Sequence, residues 1–379
     1  MATIIQQELL YQITPVGQQI MFTLQNDPIV DNNFNVKFCA AIHISSGPIT
    51  LANNNDLIGT FKTTPNGMGV GMFDLQTILE TFLKPDQEPR EHYWAQAEYK
   101  GAWVGKKAFP LHLVDKYALS QDSIKNVAIN FYIEYSTTQL GSMLSDILNP
   151  TPSDIYRIFN GVIQYDDVID EYTGAVNALG FDMSPYYLKN TFPAVNNQSF
   201  LTDSPATQYA AMGDYGTLPF LNVYNAGSSN SLGHIKLFYY DIAGSSLGSE
   251  NVYNLNSNGG EPNLGNSAYT RLNYIGVFPG NLKNWSATFA AAVTSGLAYY
   301  DILPYDSAGT FGLSKTYRIK IICPNLKGYT PIRLTWLNKW GAWDYYTFNM
   351  KSTKTINSKR IPYNQMAGTW NKSTFQPAG

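Results

Sequence analysis

The sequence predicts a mainly β protein made of two β-sandwich-like domains, with one α-helix crossing the first of them. Aromatic residues make up 14% of the chain, including 27 Tyr and 19 Phe, and aromatic residues favour strands. Short apolar runs are separated by turns rich in Asn, Gly, Ser and Pro, which is typical of sandwiches. Charged residues are only 14%, against about 25% in an average soluble protein. We therefore expect partners to cover part of the surface.

The first predicted domain covers residues 1–145. Residues 35–45 alternate between apolar and more polar side chains, and this period of two indicates a strand with one buried face. Between the strands, Asp74 is a suitable helix N-cap. The apolar residues after it recur at helical spacing: Leu75, Ile78, Leu79, Phe82 and Leu83. This pattern predicts a helix near residues 74–84, which ends before Pro85.

The second predicted domain covers residues 155–351, after a boundary at residues 141–154, which contain the Pro-rich stretch 149–152. Its short strands separated by turn residues again indicate a sandwich. Residues 352–379 form a predicted C-terminal arm, basic at first, in which Trp370 and Phe375 stand alone. Such a segment cannot bury enough apolar area to fold by itself. We expect these two rings to anchor the arm on a neighbouring subunit, with a frayed tail as the alternative.

Charge and hydropathy argue against several classes of protein. The net charge is −3 and no basic stripe is visible, so nucleic-acid binding is not expected. No apolar stretch reaches the roughly 18–20 residues of a membrane span. The first ten residues have no features of a signal peptide, so we expect synthesis in a cytoplasm. Both cysteines, Cys39 and Cys323, are expected to be free thiols.

Sequence motifs of catalysis and cofactor binding are missing. The four histidines have no metal-site spacing, and there is no Cys-x-x-Cys, phosphate-binding loop or nucleophile elbow. We therefore expect no enzymatic activity, cofactor or metal. One cluster is a candidate for catalysis or metal binding despite this expectation. Tyr165 and Tyr172 flank four carboxylates: Asp166, Asp167, Asp170 and Glu171. They suit glycoside hydrolysis or a Ca²⁺ site, although a solvated loop is the simpler interpretation.

Residues 331–348 contain three Trp within eight positions and predict a β-hairpin. Its turn is predicted at residues 338–341, where Gly341 supplies a positive φ. Asp344 is expected to cap backbone N–H groups in this tight corner. So many apolar rings require a covering layer. If Trp336 is fully buried beneath it, Trp336→Ala would cost about 3–5 kcal/mol.

The pattern Trp-Leu-Asn-x-x-Gly-x-x-Asp-x-x-x-Phe is carried by Trp336, Leu337, Asn338, Gly341, Asp344 and Phe348. It resembles a pattern of uncharacterised virion proteins of phages that infect Bacteroidota. Those proteins usually have Gly-Gly where this chain has Gly341-Ala342. Segments 26–35, 69–75, 159–165 and 200–205 also resemble them, in the same order. The resemblance implies a non-enzymatic structural protein of the virion, in its tail, baseplate or neck.

The predicted function is therefore assembly with copies of itself and with other virion proteins. One alternative is a tail-fibre or adhesin domain that binds host surface glycan, because a flat ring offers an apolar face to a sugar. Another is a polysaccharide-degrading glycosidase. A concave strip of aromatic rings with paired carboxylates would favour sugar chemistry, whereas flat aromatic patches would favour assembly.

Overall fold

The computed structural model describes residues 4–9, 13–51, 54–85, 117–120, 122–162, 184–186, 188, 198–222, 232–253, 271–306, 309–310, 312–322, 331–350, 353 and 355–359. Within these residues the protein is mainly β, with twenty strands and four α-helices. The predicted fold class is confirmed, since several sheets with mostly antiparallel pairing pack around shared hydrophobic cores in a sandwich-like arrangement.

The first half of the chain contains eleven strands and two short helices among the described residues. The strands are β1 (Ile4–Gln7), β2 (Ile13–Pro15), β3 (Met21–Gln25), β4 (Phe34–Ser45), β5 (Leu57–Thr63), β6 (Val70–Asp74), β7 (Tyr117–Leu119), β8 (Ile124–Ser136), β9 (Leu144–Ser145), β10 (Thr151–Pro152) and β11 (Tyr156–Phe159). The helices are α1 (Asp27–Asn32) and α2 (Gln76–Glu80). Strands β1, β3 and β6 form one sheet. A seven-stranded sheet has the order β2-β11-β8-β4-β5, with β9 and β10 also paired to β8.

These two sheets face each other across the first hydrophobic core. Phe22 of β3 and Phe73 of β6 approach Phe131 of β8, with ring centroids 5.7 and 6.0 Å apart. All three rings are buried. Strand β11 also belongs to this sandwich, so its larger sheet extends to Phe159, past the boundary predicted at residues 141–154.

Helix α2 is shorter than the predicted helix at residues 74–84. Asp74 lies before it and its carboxylate accepts a hydrogen bond from the Gln76 N–H at 3.1 Å. After Glu80 the N–H groups of residues 81–83 bond to carbonyls three positions back, so the last turn tightens into 3₁₀ geometry. The apolar spacing correctly marked a buried stripe, since Leu75 and Leu79 are each 1% exposed. It did not mark how far the α-helix extends.

The second half contains nine strands and two helices among the described residues. The strands are β12 (Thr207–Ala210), β13 (Thr217–Asn222), β14 (Leu232–Tyr240), β15 (Ser246–Tyr253), β16 (Arg271–Gly276), β17 (Tyr299–Asp306), β18 (Tyr317–Ile321), β19 (Ile332–Leu337) and β20 (Trp343–Phe348). The helices, which the sequence did not predict, are α3 (Pro279–Trp285) and α4 (Ala287–Thr294). A five-stranded sheet has the order β12-β18-β17-β14-β15, and β19 pairs with β20 as a separate hairpin.

A second hydrophobic core lies between the five-stranded sheet, helix α4 and the hairpin. Tyr239, Tyr300 and Phe289 meet there with ring centroids about 6 Å apart, and Tyr345 of β20 belongs to the same cluster. Strand β7, which the sequence assigned to the first domain, pairs with β16 in the sheet β13-β16-β7. Hydrogen-bonded strand pairing therefore joins the two halves. No helix in the described part of the chain is long and apolar enough to span a membrane.

Candidate functional site

The hairpin β19–β20 carries the six-residue motif, and its turn is built around Asn338. The Asn338 N–H donates to the Ala342 carbonyl at 2.8 Å, and the Gly341 N–H donates to the Asn338 carbonyl at 3.0 Å. The Asn338 side-chain oxygen accepts from the N–H groups of Trp340 and Ala342, both at 3.0 Å. Its amide nitrogen donates to the Leu201 carbonyl at 2.7 Å. One buried side chain thus closes the turn and ties it to a distant segment.

The expectation that Asp344 caps this corner is wrong. Asp344 lies on β20 opposite Trp336, is 1% exposed, and accepts from the Thr202 hydroxyl at 2.6 Å and the Asp203 N–H at 2.7 Å. Asn338 takes the capping role because its side chain precedes the turn, where an Asx side chain reaches the N–H groups two and four residues on. Asp344 instead fastens the segment 202–204 onto the hairpin.

Gly341 sits where the turn meets the first half of the chain. Its φ is +68°, and a Cβ built there would lie 1.3 Å from the Asn160 carbonyl oxygen. Nearby, the Val162 N–H donates to the Lys339 carbonyl at 2.8 Å. Here "the junction" means the contact of segments 159–162 and 200–204 with turn 338–342. Three of the segments that carry the family resemblance therefore converge at one place.

Apolar side chains from both halves fill the junction. They form a third core cluster: Ile13, Phe159, Leu201, Leu221, Leu272, Tyr274, Trp340 and Ala342. Trp340 is 4% exposed and its ring centroid lies 4.3 Å from that of Tyr186. Trp343 donates its indole N–H to the Pro85 carbonyl at 2.8 Å. The junction thus fixes the orientation of the hairpin relative to both halves.

Of the remaining motif side chains, Trp336 and Phe348 lie on the outward side of the hairpin, whereas Leu337 lies on the side of Arg333 and Tyr345. Trp336 is half-buried, Leu337 is 43% exposed and Phe348 is 50% exposed. The buried rings of the hairpin are Trp340 and Tyr345. Direct partners in an antiparallel pair share a face, and the pairs Leu334–Tyr346 and Ile332–Phe348 fall on the outward side. We call Leu334, Trp336, Tyr346, Phe348 and Met350 the hairpin face. At its turn end the same side carries Asp344, the buried partner of Trp336.

A largely buried cation, Arg333, which the sequence did not predict, anchors the inner side of the hairpin. Arg333 donates to the Tyr215 carbonyl at 2.6 and 3.0 Å and to the Thr347 hydroxyl at 2.7 Å. Its guanidinium carbon lies 4.6 Å from the Phe278 ring centroid, and burial lowers its pKa, against the opposing effect of Asp214. Only its position in an alternating strand could have indicated this role.

A second aromatic surface lies on the outer side of the five-stranded sheet. On β14, Ile235, Leu237 and Tyr239 are fully buried, so the alternate residues point the other way. That outer side carries, across four strands, Tyr209, His234, Lys236, Phe238, Tyr240, Tyr299, Asp301, Tyr305, Arg318 and Lys320. We call this surface the basic face. It is a sheet surface and not a cleft.

A shallow hollow of about 420 Å³ lies at the edge of the seven-stranded sheet. Its charged lining residues are Lys84, Asp122 and Lys125. Lys125 pairs with Asp122 at 2.5 Å and donates to the Ser46 hydroxyl at the same distance. The hollow therefore presents one carboxylate, already neutralised by a lysine, rather than the pair that glycoside hydrolysis uses.

Several predicted site residues lie outside the described residues. They are Asp166, Asp167, Asp170, Glu171, Trp370, Phe375 and Cys323. Among the described residues, no group of three or more His, Cys, Asp or Glu side chains could hold a metal ion. Cys39 is a buried free thiol, and desolvation raises its pKa to about 11.

The pH dependence of stability should report on Asp344. Burial raises its pKa from 3.8 to about 6, so the folded protein holds this proton to higher pH than the unfolded chain does. The resulting stabilisation is complete below pH 4 and is lost as pH rises through 6, by at most about 3 kcal/mol. Urea unfolding at several pH values should show this loss in the wild type and not in Asp344→Asn. Parallel profiles for the two proteins would contradict the assignment.

Comparison with known proteins does not assign this chain to a family. No protein-family model and no curated protein matches the chain. Among solved structures, native E. coli alpha-2-macroglobulin has a TM-score of 0.21 at 9% identity, and Salmonella alpha-2-macroglobulin reacted with methylamine has 0.20 at 8%. Each match covers 88% of this chain and 18% of the other. The complex of Dpr2 Ig1-Ig2 with DIP-Theta Ig1-Ig3 has a TM-score of 0.15 at 8% identity, over 85% of this chain and 99% of that one. The chain thus spans about a fifth of the alpha-2-macroglobulins, and at these TM-scores the similarities carry no functional argument.

Proposed function

We propose that this protein is a non-enzymatic structural subunit of a bacteriophage particle, placed in the tail, baseplate or neck. It acts by binding copies of itself and other virion proteins. The observation that carries the proposal is the hairpin face, where Leu334, Trp336, Tyr346 and Phe348 lie on one side of a two-stranded sheet. Met350 follows two residues after its last strand. Of these, Leu334, Phe348 and Met350 are 48%, 50% and 66% exposed.

Such a face has the composition of a protein–protein interface. Trp, Tyr, Phe and Met are enriched at interfaces, and a contiguous exposed apolar patch on a monomer marks an interaction site. Full burial of each large side chain would contribute about 1.5–3 kcal/mol. Asn338 and Asp344 bind the hairpin to segment 200–204, and Arg333 binds it to Tyr215. The face is therefore presented in one orientation before a partner arrives.

The placement of the motif residues agrees with this proposal. Asn338, Gly341 and Asp344 build and anchor the hairpin, while Trp336 and Phe348 lie on its outward face. A motif that orients a surface, rather than lining a cavity, suits assembly. This supports the virion role that the sequence resemblance implies.

The basic face favours assembly over the glycan-binding alternative. Sugar recognition by aromatic residues needs an open ring face. On this surface Tyr240 stacks on Tyr299 with centroids 5.0 Å apart, and Arg318 covers Tyr299 at 4.3 Å. The surface follows a sheet and no described carboxylate pair lies in a cleft beside it. Flat, occupied rings are a feature of assembly surfaces rather than of sugar platforms.

The double variant Trp336→Ser with Phe348→Ser tests the proposal. We expect only a small drop in melting temperature, because Phe348 is 50% exposed and Trp336 is partly exposed, together with loss of self-association in light scattering. The variant should also fail to enter phage particles in a complementation assay followed by mass spectrometry of purified virions. Leu140→Ser with Leu148→Ser is the matched control, since these leucines are 99% and 89% exposed and lie elsewhere.

Two results would contradict the proposal. One is absence of the wild-type protein from purified particles, or full incorporation of the hairpin variant. The other is release of oligosaccharides from bacterial surface polysaccharide that disappears in Asp166→Asn or Asp167→Asn. That second result would establish the glycosidase alternative.

A further inference from the structure

The basic face holds cations without ion-pair partners in the described structure. Arg318 is neutralised by Asp301 through two hydrogen bonds of 2.6 and 2.8 Å. Lys236 and Lys320 have no carboxylate within ion-pair distance among the residues that are described. Both rest on aromatic rings instead, Lys236 at 4.9 Å from the Phe238 centroid and Lys320 at 5.8 Å from that of Tyr209.

The groups around these lysines indicate which chemical class of partner the basic face can bind. His234 and Tyr305 stack in parallel with centroids 5.5 Å apart, and Lys236 lies 5.8 Å from the same tyrosine ring. Ring faces engaged by neighbours cannot stack on sugars or bases, which is how single-stranded nucleic acids and many glycans are held. The face offers positive charge and tyrosine hydroxyl groups over a broad, flat area. That combination fits an acidic protein surface.

The chain itself provides a surface of this kind on the opposite half. Residues 1–36 and 63–83 contain no Lys or Arg, and they supply all of the sheet β1-β3-β6 together with helices α1 and α2. The exposed carboxylates of this region are Glu8, Asp27, Asp31, Asp74 and Glu80. Asp27 and Asp31 follow the Gln25 end of β3, whereas Asp74 pairs with Met21 at the other end of that strand. We call this region the acidic sheet.

Exposed apolar side chains accompany these carboxylates, as expected for an interface. Met68 is 83% exposed and Met72 is 49% exposed. Met72 and Asp74 are alternate residues of β6, both outward, whereas Phe73 between them is buried. The acidic sheet thus pairs negative charge with methionines, and the basic face pairs positive charge with tyrosines.

We propose that the basic face of one copy docks on the acidic sheet of a second copy, head to tail. This inference rests on the proposed assembly function and specifies one of its contacts. Because the two surfaces lie on different halves of the chain, the contact is heterologous, and its repetition closes a ring or extends a filament. Opposite charges at the rims would speed association and make it sensitive to salt, since the screening length is about 8 Å at physiological ionic strength.

Charge reversal on either surface tests the contact. Lys236→Glu with Lys320→Glu should weaken self-association at least ten-fold in analytical ultracentrifugation, and so should Asp27→Lys with Asp31→Lys. An equimolar mixture of the two variants should assemble again, because each reversed face then meets an opposite charge. Lys283→Glu, at an exposed lysine on α3, is the control and should assemble like the wild type. The variant Lys236→Gln with Lys320→Gln removes the positive charges without adding repulsion, so it should also weaken self-association. Melting curves of all variants show whether any of them has a folding defect.

The outcomes separate this inference from the proposed function. Wild-type assembly by both reversed variants, or no recovery on mixing, would overturn the head-to-tail contact. If only the hairpin-face variant loses assembly, the head-to-tail contact is overturned and the proposed structural role is not. Unchanged self-association together with binding of heparin, abolished by Lys236→Gln with Lys320→Gln, would make an anionic polysaccharide the occupant and also overturn the proposal.

Discussion

Replacing Gly341 by alanine is expected to lower the free energy of unfolding by about 2–6 kcal/mol. Two costs combine: a left-handed backbone for a non-glycine residue, about 1–3 kcal/mol, and overpacking, about 1–3 kcal/mol. The second arises because the new Cβ would lie 1.3 Å from the Asn160 carbonyl oxygen. This oxygen belongs to the backbone and cannot rotate away. The segment that carries it is also held, since the Val162 N–H is bonded to the Lys339 carbonyl.

Gly296→Ala separates the two costs. Gly296 has a φ of +90°, and a Cβ there would meet nothing within 4 Å, so this variant carries backbone strain alone, about 1–2 kcal/mol. Urea unfolding of both variants should therefore show a clearly larger loss for Gly341→Ala. Equal losses would mean that the junction opens easily and that segment 159–162 does not constrain the hairpin.

Local chemistry explains which parts of the hairpin the sequence could predict. The turn at residues 338–341 follows from Asn and Gly at fixed offsets, and the structure shows the positive φ at Gly341. The mainly β fold class followed in the same way, from alternation within strands. By contrast, the Asn160 contact and the Thr202 bond to Asp344 join distant segments. No spacing rule within the hairpin specifies them.

The two unpredicted helices of the second half show a different limit. Helix α4 has the sequence ATFAAAVT, in which only Phe289 and Ala292 are buried. Small residues on all sides give almost no amphipathic period, so helical spacing could not be recognised. Its N-cap was readable, since Ser286 accepts from the Phe289 N–H at 2.8 Å. A serine in a Ser-rich and Thr-rich sequence is, however, a weak signal by itself.

The basic face and the acidic sheet could be predicted from the sequence only in part. The absence of Lys and Arg from residues 1–36 and 63–83 is visible in the sequence. That these segments build one sheet depends on the pairing of β3 with both β1 and β6. Likewise, Lys236 and Lys320 share a face only because β17 lies between their strands. Which charged residues share one surface is therefore decided by the pairing of strands that are distant in sequence.

Alternation also predicts which hairpin residues share a side, but not which side meets the core. The hairpin pattern allowed burial of Trp336, yet Trp336 is half-buried and Trp340 is 4% exposed. The contacts of Trp340 decide this, because its ring packs into the cluster of Ile13, Phe159 and Leu272. These residues come from other strands, so a pattern within the hairpin cannot identify them.

Trp340→Ala is therefore expected to lower the free energy of unfolding by about 3–5 kcal/mol, the usual cost of emptying a buried Trp site. Trp336→Ala, two residues before the turn, should cost under about 1.5 kcal/mol, because its ring is partly in water and leaves no closed cavity. Urea unfolding of the two variants at pH 7 measures the difference. The order of the two effects is the informative quantity, since both remove the same atoms. A larger loss for Trp336→Ala would place the covered side of the hairpin on its outward face, and the hairpin face would then be part of the core and not a surface for partners.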